Sequence, residues 1–304
     1  MSVKNPFDKE NEMSIGIPSL ERSLFEPRAL VSVLLSGGAW ITAIIASIPL
    51  FSVLYGLVVR GGHRLSLEVF TELPPAGFEE GGGFGNAIVG TLVTVGFGAI
   101  ISIPIGIMAA IFLAELEPDG KVAFAAKFCA KTLTGLPSIL AGVFAYAMVV
   151  LTTGTYSAPA AGVALALLML PTVVLTAEES MRMIPVNMKN AAYGMGCTRS
   201  QVIWKIVLPT ALPGVLTGVM LAIARAAGET APLLFTALFS NYWFIENGSA
   251  QVMAPIASLS VLIYNFSGMP YENQIELAWT ASLVLVLMVL TFNILARVLG
   301  RKKV

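Results

Sequence analysis

Charged residues, cysteine and histidine are all scarce in this chain of 304 residues. Charged residues make up 12% of the sequence and apolar residues 56%, whereas a soluble domain has about 25% and about 45–50%. The two cysteines, Cys129 and Cys197, lie far apart, so they match no metal or redox motif and imply no disulfide scaffold. The single histidine, His63, stands in a polar, glycine-rich stretch, where we expect a solvated side chain. This composition excludes an ordinary soluble domain and predicts a membrane protein.

A nucleotide-binding motif and a cleavable signal are also missing. The only Gly-Lys pair, Gly120-Lys121, lacks the upstream glycine and the following Ser or Thr of a P-loop. Gly194 and Gly196 do not complete a G-x-G-x-x-G pattern, because Arg199 stands at its last position. The first 28 residues are polar and of mixed charge, so we expect a cytoplasmic tail there instead of a secretory signal. ATP-driven transport through this chain would therefore use a separate ATPase subunit, while the absence of a nucleotide motif alone fits a channel or a secondary transporter equally.

Six apolar runs are long enough to cross about 30 Å of hydrocarbon, which takes roughly 20 residues. Within lipid, backbone amides must bond inside the segment or to protein, so such runs are helical. A further stretch, Ala254–Phe266, is too short to cross, and we expect an interfacial or re-entrant segment on the outer side. We therefore predict an all-α polytopic membrane protein with six transmembrane helices. The predicted spans are Val31–Val59, Ala87–Ala114, Thr132–Leu151, Ala158–Ala177, Pro213–Ser240 and Leu277–Leu299.

Small residues recur at every fourth position of the second span. Gly98, Ser102 and Gly106 fall on one face of that helix. A ridge of this kind lets a second helix approach closely, so these residues either mark tight helix packing or are incidental small residues.

The basic residues are divided unevenly between the two sides of the membrane. With a cytoplasmic N-terminus, the inner segments hold 15 of the 18 Lys and Arg residues, and the outer ones only Arg60 and Arg64. The positive-inside rule then predicts that both termini are cytoplasmic. A transmembrane domain over 29–304 follows the 1–28 tail, with outer loops at 60–86 and 241–275 and an inner loop at 181–212. The 60–86 loop contains Pro-Pro and Gly-Gly-Gly, so we expect it to be flexible, and it is either an ordinary linker or a surface for an external partner.

The inner loop carries the most specific motif. It reads Asn190-Ala-Ala-Tyr-Gly-Met-Gly-Cys-Thr-Arg-Ser-Gln-Val-Ile-Trp-Lys-Ile-Val-Leu-Pro209 and resembles the coupling-loop signature E-A-A-x3-G-x9-I-x-L-P of ABC importer permeases. We expect a short helix, a turn at Gly196 and a second helix over Ser200–Val207 that ends before Pro209. The alternative is an ordinary amphipathic connector. The matching residues are Ala191, Ala192, Gly196, Ile206, Leu208 and Pro209, while Asn190 departs from the signature, which most often has Glu there.

One arginine, Arg225, lies inside the fifth predicted span. An arginine near a span centre costs about 2.5–3.5 kcal/mol on insertion scales, so it should face protein or water and have a partner. Glu229 is four residues further on and falls on the same helical face. The two residues either neutralise each other as a structural pair, or Arg225 lies beside a translocation path and attracts an oxyanion with its planar fork. The two readings are compatible.

Three segments sharpen the resemblance. They resemble the A-type (PstA-like) permeases of phosphate ABC importers. The segments are Arg225-Ala-Ala-Gly-Glu-Thr230, its continuation Ala231-Pro-Leu-Leu-Phe-Thr-Ala237, and Thr134-Gly-Leu-Pro-Ser-Ile-Leu-Ala-Gly142. The likeness runs from about Ala87 to Arg297. It implies a type I (MetI-like) permease core in a bacterial plasma membrane, with Arg225 and Glu229 as transport residues. Arg182 is a further candidate, although it would equally serve as a positive-inside anchor.

The same resemblance implies a set of partners. The chain would pair with a C-type permease subunit, and residues 190–209 would dock on a dimer of ATPase subunits that bind ATP and Mg²⁺. An external phosphate-binding protein would deliver phosphate. The chain itself would be non-catalytic and without a cofactor, in contact with lipid and with no nucleic acid.

Other functions remain open at the level of sequence. A permease for sulfate, molybdate or a phosphonate would share everything except the Arg225–Pro232 match. A secondary anion transporter would need no coupling loop, and such proteins often show inverted repeats, none of which we find here. A non-transporting scaffold or sensor would explain neither the loop motif nor Arg225.

Overall fold

The computed structural model describes residues 27–246 and 248–300. The tail predicted for residues 1–28 therefore lies outside the described residues except for its last two, as do the basic residues Arg301, Lys302 and Lys303. Within the described ranges the chain is helical apart from loops and a two-stranded antiparallel ribbon, β1 (Ile245–Glu246) and β2 (Ser249–Ala250), with Ile245 opposite Ala250.

Most neighbouring helices are joined by short connections, while the longer connection over residues 237–258 contains the β ribbon. Three π-helical turns adjoin them: Phe112–Leu116 follows α3, Tyr146–Val150 joins α5 to α6, and Ile203–Val207 joins α9 to α10. The α-helices are α1 Pro27–Gly62, α2 Glu68–Thr71, α3 Gly85–Ile111, α4 Lys121–Thr134, α5 Ser138–Ala145, α6 Leu151–Thr153, α7 Ala158–Arg182, α8 Val186–Gly194, α9 Arg199–Val202, α10 Leu208–Gly228, α11 Ala231–Thr236, α12 Leu259–Ser267 and α13 Glu272–Gly300.

The chain divides into two compact units, Met1–Tyr55 and Gly56–Val304. The described part of the first unit is the larger part of α1. This apolar helix continues without a break through Pro49. All further description concerns the second unit.

Within residues 27–246 and 248–300, five helices are long and apolar enough to cross a membrane, and a bent pair of helices raises the number to six if it counts as one span. The five are Val31–Gly62, Gly85–Leu116, Ala158–Arg182, Arg199–Gly228 and Glu272–Leu295. The prediction of a polytopic all-α protein is thus confirmed, but two of the six predicted spans differ in form.

The third predicted span, Thr132–Leu151, is broken. The structure has α4 and then a separate helical stretch, Ser138–Thr153, at 107° to it. The break falls at Gly135-Leu136-Pro137, where Pro137 has no amide hydrogen to continue the ladder and its ψ of 130° turns the chain away. The predicted start was therefore wrong, because the residues before Pro137 belong to a helix of a different direction.

The fifth predicted span, Pro213–Ser240, is broken as well. Helix α10 ends at Gly228, Glu229 takes an extended conformation, and α11 begins at Ala231. Pro232 stands in the first turn of α11, a position that needs no amide hydrogen. Arg225 therefore lies in the last turn of α10 and not in the middle of a helix.

The short apolar stretch Ala254–Phe266 forms a helix of nine residues, α12, which is too short to cross. Its residues Leu259, Val261 and Leu262 are fully buried, and the Leu259 amide donates to the hydroxyl of Thr91 on α3 at 2.9 Å. The stretch is thus a short helix packed against the protein, where an irregular backbone is tolerated, and its interfacial or re-entrant position stays a prediction.

Helix α7 is the centre of the second unit, and α3 packs along it. A Cβ placed on Gly106 would lie 2.7 Å from Cγ1 of Val173, and one on Gly98 would lie 3.1 Å from Cβ of Leu165. Ser102 between them is fully buried. The predicted small-residue ridge is confirmed, and it brings the two backbones close enough for dispersion contacts along the whole interface.

The loop between α1 and α3 is held in place, which corrects the expected flexibility. The side-chain amide of Asn273 donates to the Glu79 carbonyl at 2.6 Å. The guanidinium of Arg64 donates to the Gly81 carbonyl at 3.0 Å and also contacts the Asn273 side chain. The ring of Phe78 packs edge-on against Tyr271, with 5.0 Å between centroids. The proline and glycine residues give the loop its turns, while contacts with the start of α13 fix it.

Candidate functional site

The predicted inner loop is a helix–turn–helix knob formed by α8, Gly196 and α9, which we call the coupling knob (residues 186–207). Gly196 has φ +85°, a conformation that side chains with a Cβ rarely adopt, so the predicted glycine turn is confirmed. Thr198 and Gln201 form a reciprocal capping box at the start of α9. Local sequence thus fixes both the turn and the helix that follows it.

One detail of the prediction for the coupling knob was wrong. The second helix does not end before Pro209 but continues through the π turn Ile203–Val207 into α10. Pro209 is in the first turn of α10, and the wider π turn before it accommodates the missing amide hydrogen. The knob is therefore continuous with the span that carries Arg225.

The seven residues singled out by the motif divide between surface and base. Asn190, Ala191 and Gly196 are exposed, while Ala192 is buried and Ile206, Leu208 and Pro209 are half-buried where the knob joins the bundle. Apolar side chains that the motif does not name are also exposed on the knob: Met188, Tyr193, Met195 and Trp204. The sequence alone did not single out these four residues. Their presence as large apolar side chains in a polar loop could have indicated an interaction surface, because exposed apolar patches mark such surfaces.

The coupling knob is tied to the end of α3 by charge. Lys189 forms an ion pair with Glu115 at 2.5 Å, and both side chains are largely buried. The guanidinium of Arg199 donates to the backbone carbonyls of Glu115 and Leu116. These carbonyls end a helix and lack intrahelical partners, so a cation there is favourable. Lys189 and Glu115 are 74 positions apart in the sequence, so sequence reasoning could not find this contact.

Arg225 and Glu229 lie together at the break between α10 and α11. Nε of Arg225 is 3.3 Å from Oε1 of Glu229, with the arginine side chain 45% exposed and the glutamate side chain 16% exposed. The hydroxyl of Ser260 donates to the Glu229 carbonyl at 2.9 Å, so α12 contacts the break directly. A Cβ on Gly142 would lie 2.6 Å from Cα of Pro232, so α5 packs directly on the start of α11. The guanidinium thus lies at a break that is packed and hydrogen-bonded, and it is partly exposed at the surface of the chain.

Arg182 has different surroundings. Its Nε lies 2.7 Å from Oε1 of the buried Glu178, and its Nη2 donates to the Leu113 carbonyl at 3.1 Å. Lys127 contacts the same carboxylate at 2.7 Å. Among the described residues, no hydrogen bond or ion pair joins Arg182 to Arg225 or Glu229. The structure therefore brings Arg225 and Glu229 together and places Arg182 in a separate cluster at the end of α7.

Comparison with known proteins defines the class. Residues 102–303 match the model of the family described as the binding-protein-dependent transport system inner membrane component. The chain belongs to this family, whose members are multi-pass inner-membrane permeases.

Two curated relatives within this class are similar to the chain over most of its length. The chain is 40% identical over 251 residues, 83% of each protein, to the phosphate transport system permease protein PstA of Yersinia pestis. It is 38% identical over 270 residues to the protein of that name from Haemophilus influenzae, covering 89% of this chain and 94% of that one.

Solved structures share the fold. An inward-facing MetNI methionine ABC transporter matches with a TM-score of 0.56 and 20% identity, over 71% of this chain and 92% of that one. A bacterial alginate ABC transporter, solved with a pentasaccharide-bound periplasmic protein, matches with a TM-score of 0.62 and 15% identity, over 92% and 98%. The fold is therefore that of a MetI-like ABC importer permease.

Proposed function

We propose that this chain is the A-type membrane-spanning subunit of an ATP-driven inorganic phosphate importer. The observation that carries the proposal is the Arg225–Glu229 pair, which lies at a break in an otherwise apolar span of a chain whose curated relatives are phosphate permeases. A charged side chain inside a membrane domain is functional by default, because its insertion is costly.

Arg225 has donors to spare for an anion. Glu229 contacts only the Nε side of the guanidinium, and the side chain is nearly half exposed. The remaining N–H groups have the planar geometry that suits phosphate oxygens. Glu229 balances the arginine between transported anions, so that the site attracts phosphate without holding it tightly, as permeation requires.

The remaining parts of the proposal concern partners. A C-type permease subunit would complete the path, and an external phosphate-binding protein would load it from the outer side. A dimer of ATPase subunits, which binds ATP and Mg²⁺, would receive the coupling knob. The exposed Met188, Tyr193, Met195 and Trp204 support this docking, because they offer a compact apolar surface. The chain itself would carry no cofactor and catalyse no reaction, with both termini in the cytoplasm.

Coupling would then pass through the knob into the bundle. Closure of the ATPase dimer would move the coupling knob, and its continuity with α10 would carry that movement directly to Arg225. The Lys189–Glu115 pair would carry the same movement to α3. The two permease subunits would thereby alternate between outward and inward access.

Uptake of labelled phosphate by cells that lack this chain tests the proposal. Wild type should restore uptake, Arg225→Gln should not, and Arg225→Lys should restore only part of it, because lysine keeps the charge and loses the fork. Membrane abundance of each variant is the insertion control. Uptake by Arg225→Gln equal to wild type would remove the anion role, while competition by excess sulfate would change the substrate to another oxyanion.

A further inference from the structure

A cavity of about 450 Å³ lies between α4 and the C-terminal part of α7, and Arg225 is not among its lining residues. Five charged side chains line it: Lys127, Lys131, Glu178, Glu179 and Arg182. Three cations face two carboxylates, so the cavity has one positive charge in excess. It has room for several water-sized groups, since one water occupies about 30 Å³ of liquid.

Two of the cations are fixed by a buried carboxylate. The side chain of Glu178 is 2% exposed, and its Oε1 contacts both Nζ of Lys127 and Nε of Arg182 at 2.7 Å. Arg182 is held further by the Leu113 carbonyl through Nη2. An ion pair that is buried on one side loses rotamer freedom, so both cations are preorganised at the cavity wall.

These two cations keep donors that the protein does not use. Lys127 donates to Glu178 alone among the described residues, and an ammonium group has three N–H donors. Arg182 uses Nε and one hydrogen of Nη2, which leaves Nη1 without an assigned acceptor in the described part of the chain. Free, fixed N–H groups of two cations beside one cavity are the arrangement that binds a tetrahedral oxyanion.

Lys131 adds a third cation without an ion pair. It is exposed, and no carboxylate lies within 4.0 Å of its Nζ among the described residues. It follows Phe124 and Phe128 at helical spacing, and those two aromatic side chains are 76% and 63% exposed. A helix face that combines aromatic residues and lysine is typical of a helix lying at a membrane surface. The bend of 107° that follows α4 agrees with such an orientation.

We propose that this cavity binds a phosphoryl group through Lys127, Lys131 and Arg182, with Glu178 as the positioning residue. Two sources have this chemistry: inorganic phosphate that has passed the membrane, and the phosphodiester of an anionic lipid headgroup. Only the first source depends on the function proposed above. The cavity adjoins the end of α7 that leads into the coupling knob, so an occupant there would contact the region that moves during coupling.

The test uses the full-length chain, purified with its co-expressed partner subunits and carrying Arg225→Gln so that the path contributes no binding. Lys131→Met removes the unpaired cation, and Lys121→Met is its control, because Lys121 is an exposed lysine of the same helix that does not line the cavity. In the first arm, equilibrium dialysis measures labelled inorganic phosphate bound in nanodiscs of phosphatidylcholine. In the second arm, native mass spectrometry counts phosphatidylglycerol retained from mixed nanodiscs.

If free phosphate is the occupant, the phosphate affinity should fall by about tenfold or more in Lys131→Met and should not fall in Lys121→Met, since only the first variant loses a charge-assisted contact. A lipid occupant predicts loss of retained phosphatidylglycerol in Lys131→Met alone. Lys131→Arg should preserve whichever binding is seen, which separates a lost ligand from a damaged fold. If Lys131→Met and Lys121→Met agree in both arms, the proposal is overturned. Failure of the proposed phosphate transport would leave the lipid arm untouched.

Discussion

Replacing Gly196 by alanine tests the structural basis of the coupling knob. Gly196 has φ +85°, and a Cβ added there would meet no atom within 4 Å, so the cost is confined to the backbone. The left-handed conformation costs an L-residue with a side chain roughly 1–2 kcal/mol. The turn should therefore open about 5- to 30-fold more often in Gly196→Ala.

Gly194 provides a matched control two positions earlier. A Cβ added there also meets nothing within 4 Å, but Gly194 is the last residue of α8 and has no positive φ. Alanine is a better helix former than glycine by up to about 1 kcal/mol, so Gly194→Ala should be neutral or stabilising. Neither added methyl group meets a neighbouring atom, so the two variants differ in whether the replaced residue has a positive φ.

Hydrogen–deuterium exchange of the knob reads out this opening. The amide of Gly196 donates to the Tyr193 carbonyl at 2.9 Å, and the amide of Cys197 donates to the Ala192 carbonyl at 3.1 Å. Both amides should exchange about 5- to 30-fold faster in Gly196→Ala and no faster in Gly194→Ala. Equal exchange in the two variants would refute the reasoning, because it would show that the positive φ does not hold the turn.

Three other predictions follow from contacts inside the unit. Lys189→Met and Glu115→Gln should each lower the melting temperature more than the double variant does, because a single change leaves a buried charge unpaired at a cost of about 3–5 kcal/mol; additive losses would contradict this. Gly106→Ala should destabilise by about 1–3 kcal/mol through overpacking against α7, whereas Gly96→Ala, which meets nothing within 4 Å, should not; equal midpoints on thermal unfolding would be the opposite result. Asn273→Ala should expose the α1–α3 loop to limited proteolysis, and an unchanged cleavage rate would show that other contacts hold it.

The features that the sequence predicted well are those decided by local composition. Apolar runs such as Ala158–Ala177 are long enough that only a helix satisfies their amides in lipid, and the structure has α7 there. Gly196 was predicted to form a turn because glycine alone enters the left-handed region freely, and its φ is +85°. The small-residue ridge at Gly98 and Gly106 likewise required only helical spacing.

The features that the sequence did not predict are decided by contacts between distant segments. Pro137 and Pro232 each stand at a break, yet Pro104 and Pro171 lie inside unbroken helices. Proline therefore permits a break without requiring one, and the break at Glu229 depends on Ser260 and the packing of α5. The Lys189–Glu115 pair and the cluster around Glu178 were hidden for the same reason, since their members meet only in the folded chain.

The roles of the site residues stay predictions, and Arg182 is the one whose interpretation changes most. Its carboxylate and carbonyl partners explain it as part of an ion-pair cluster at the end of α7, without a place beside Arg225. Arg225 itself keeps the role proposed for it, because its exposed guanidinium lies at the break in α10.

Accumulation of labelled phosphate in proteoliposomes tests the central proposal most directly. The full-length chain would be reconstituted with its co-expressed partner subunits. The phosphate-binding protein would be added outside the vesicles, and accumulation would be measured inside them. An ATP-driven phosphate importer predicts accumulation that requires ATP, stops with a non-hydrolysable ATP analogue and is insensitive to excess sulfate. Accumulation without ATP hydrolysis would contradict the account, because it would show that the coupling knob does not link transport to an ATPase.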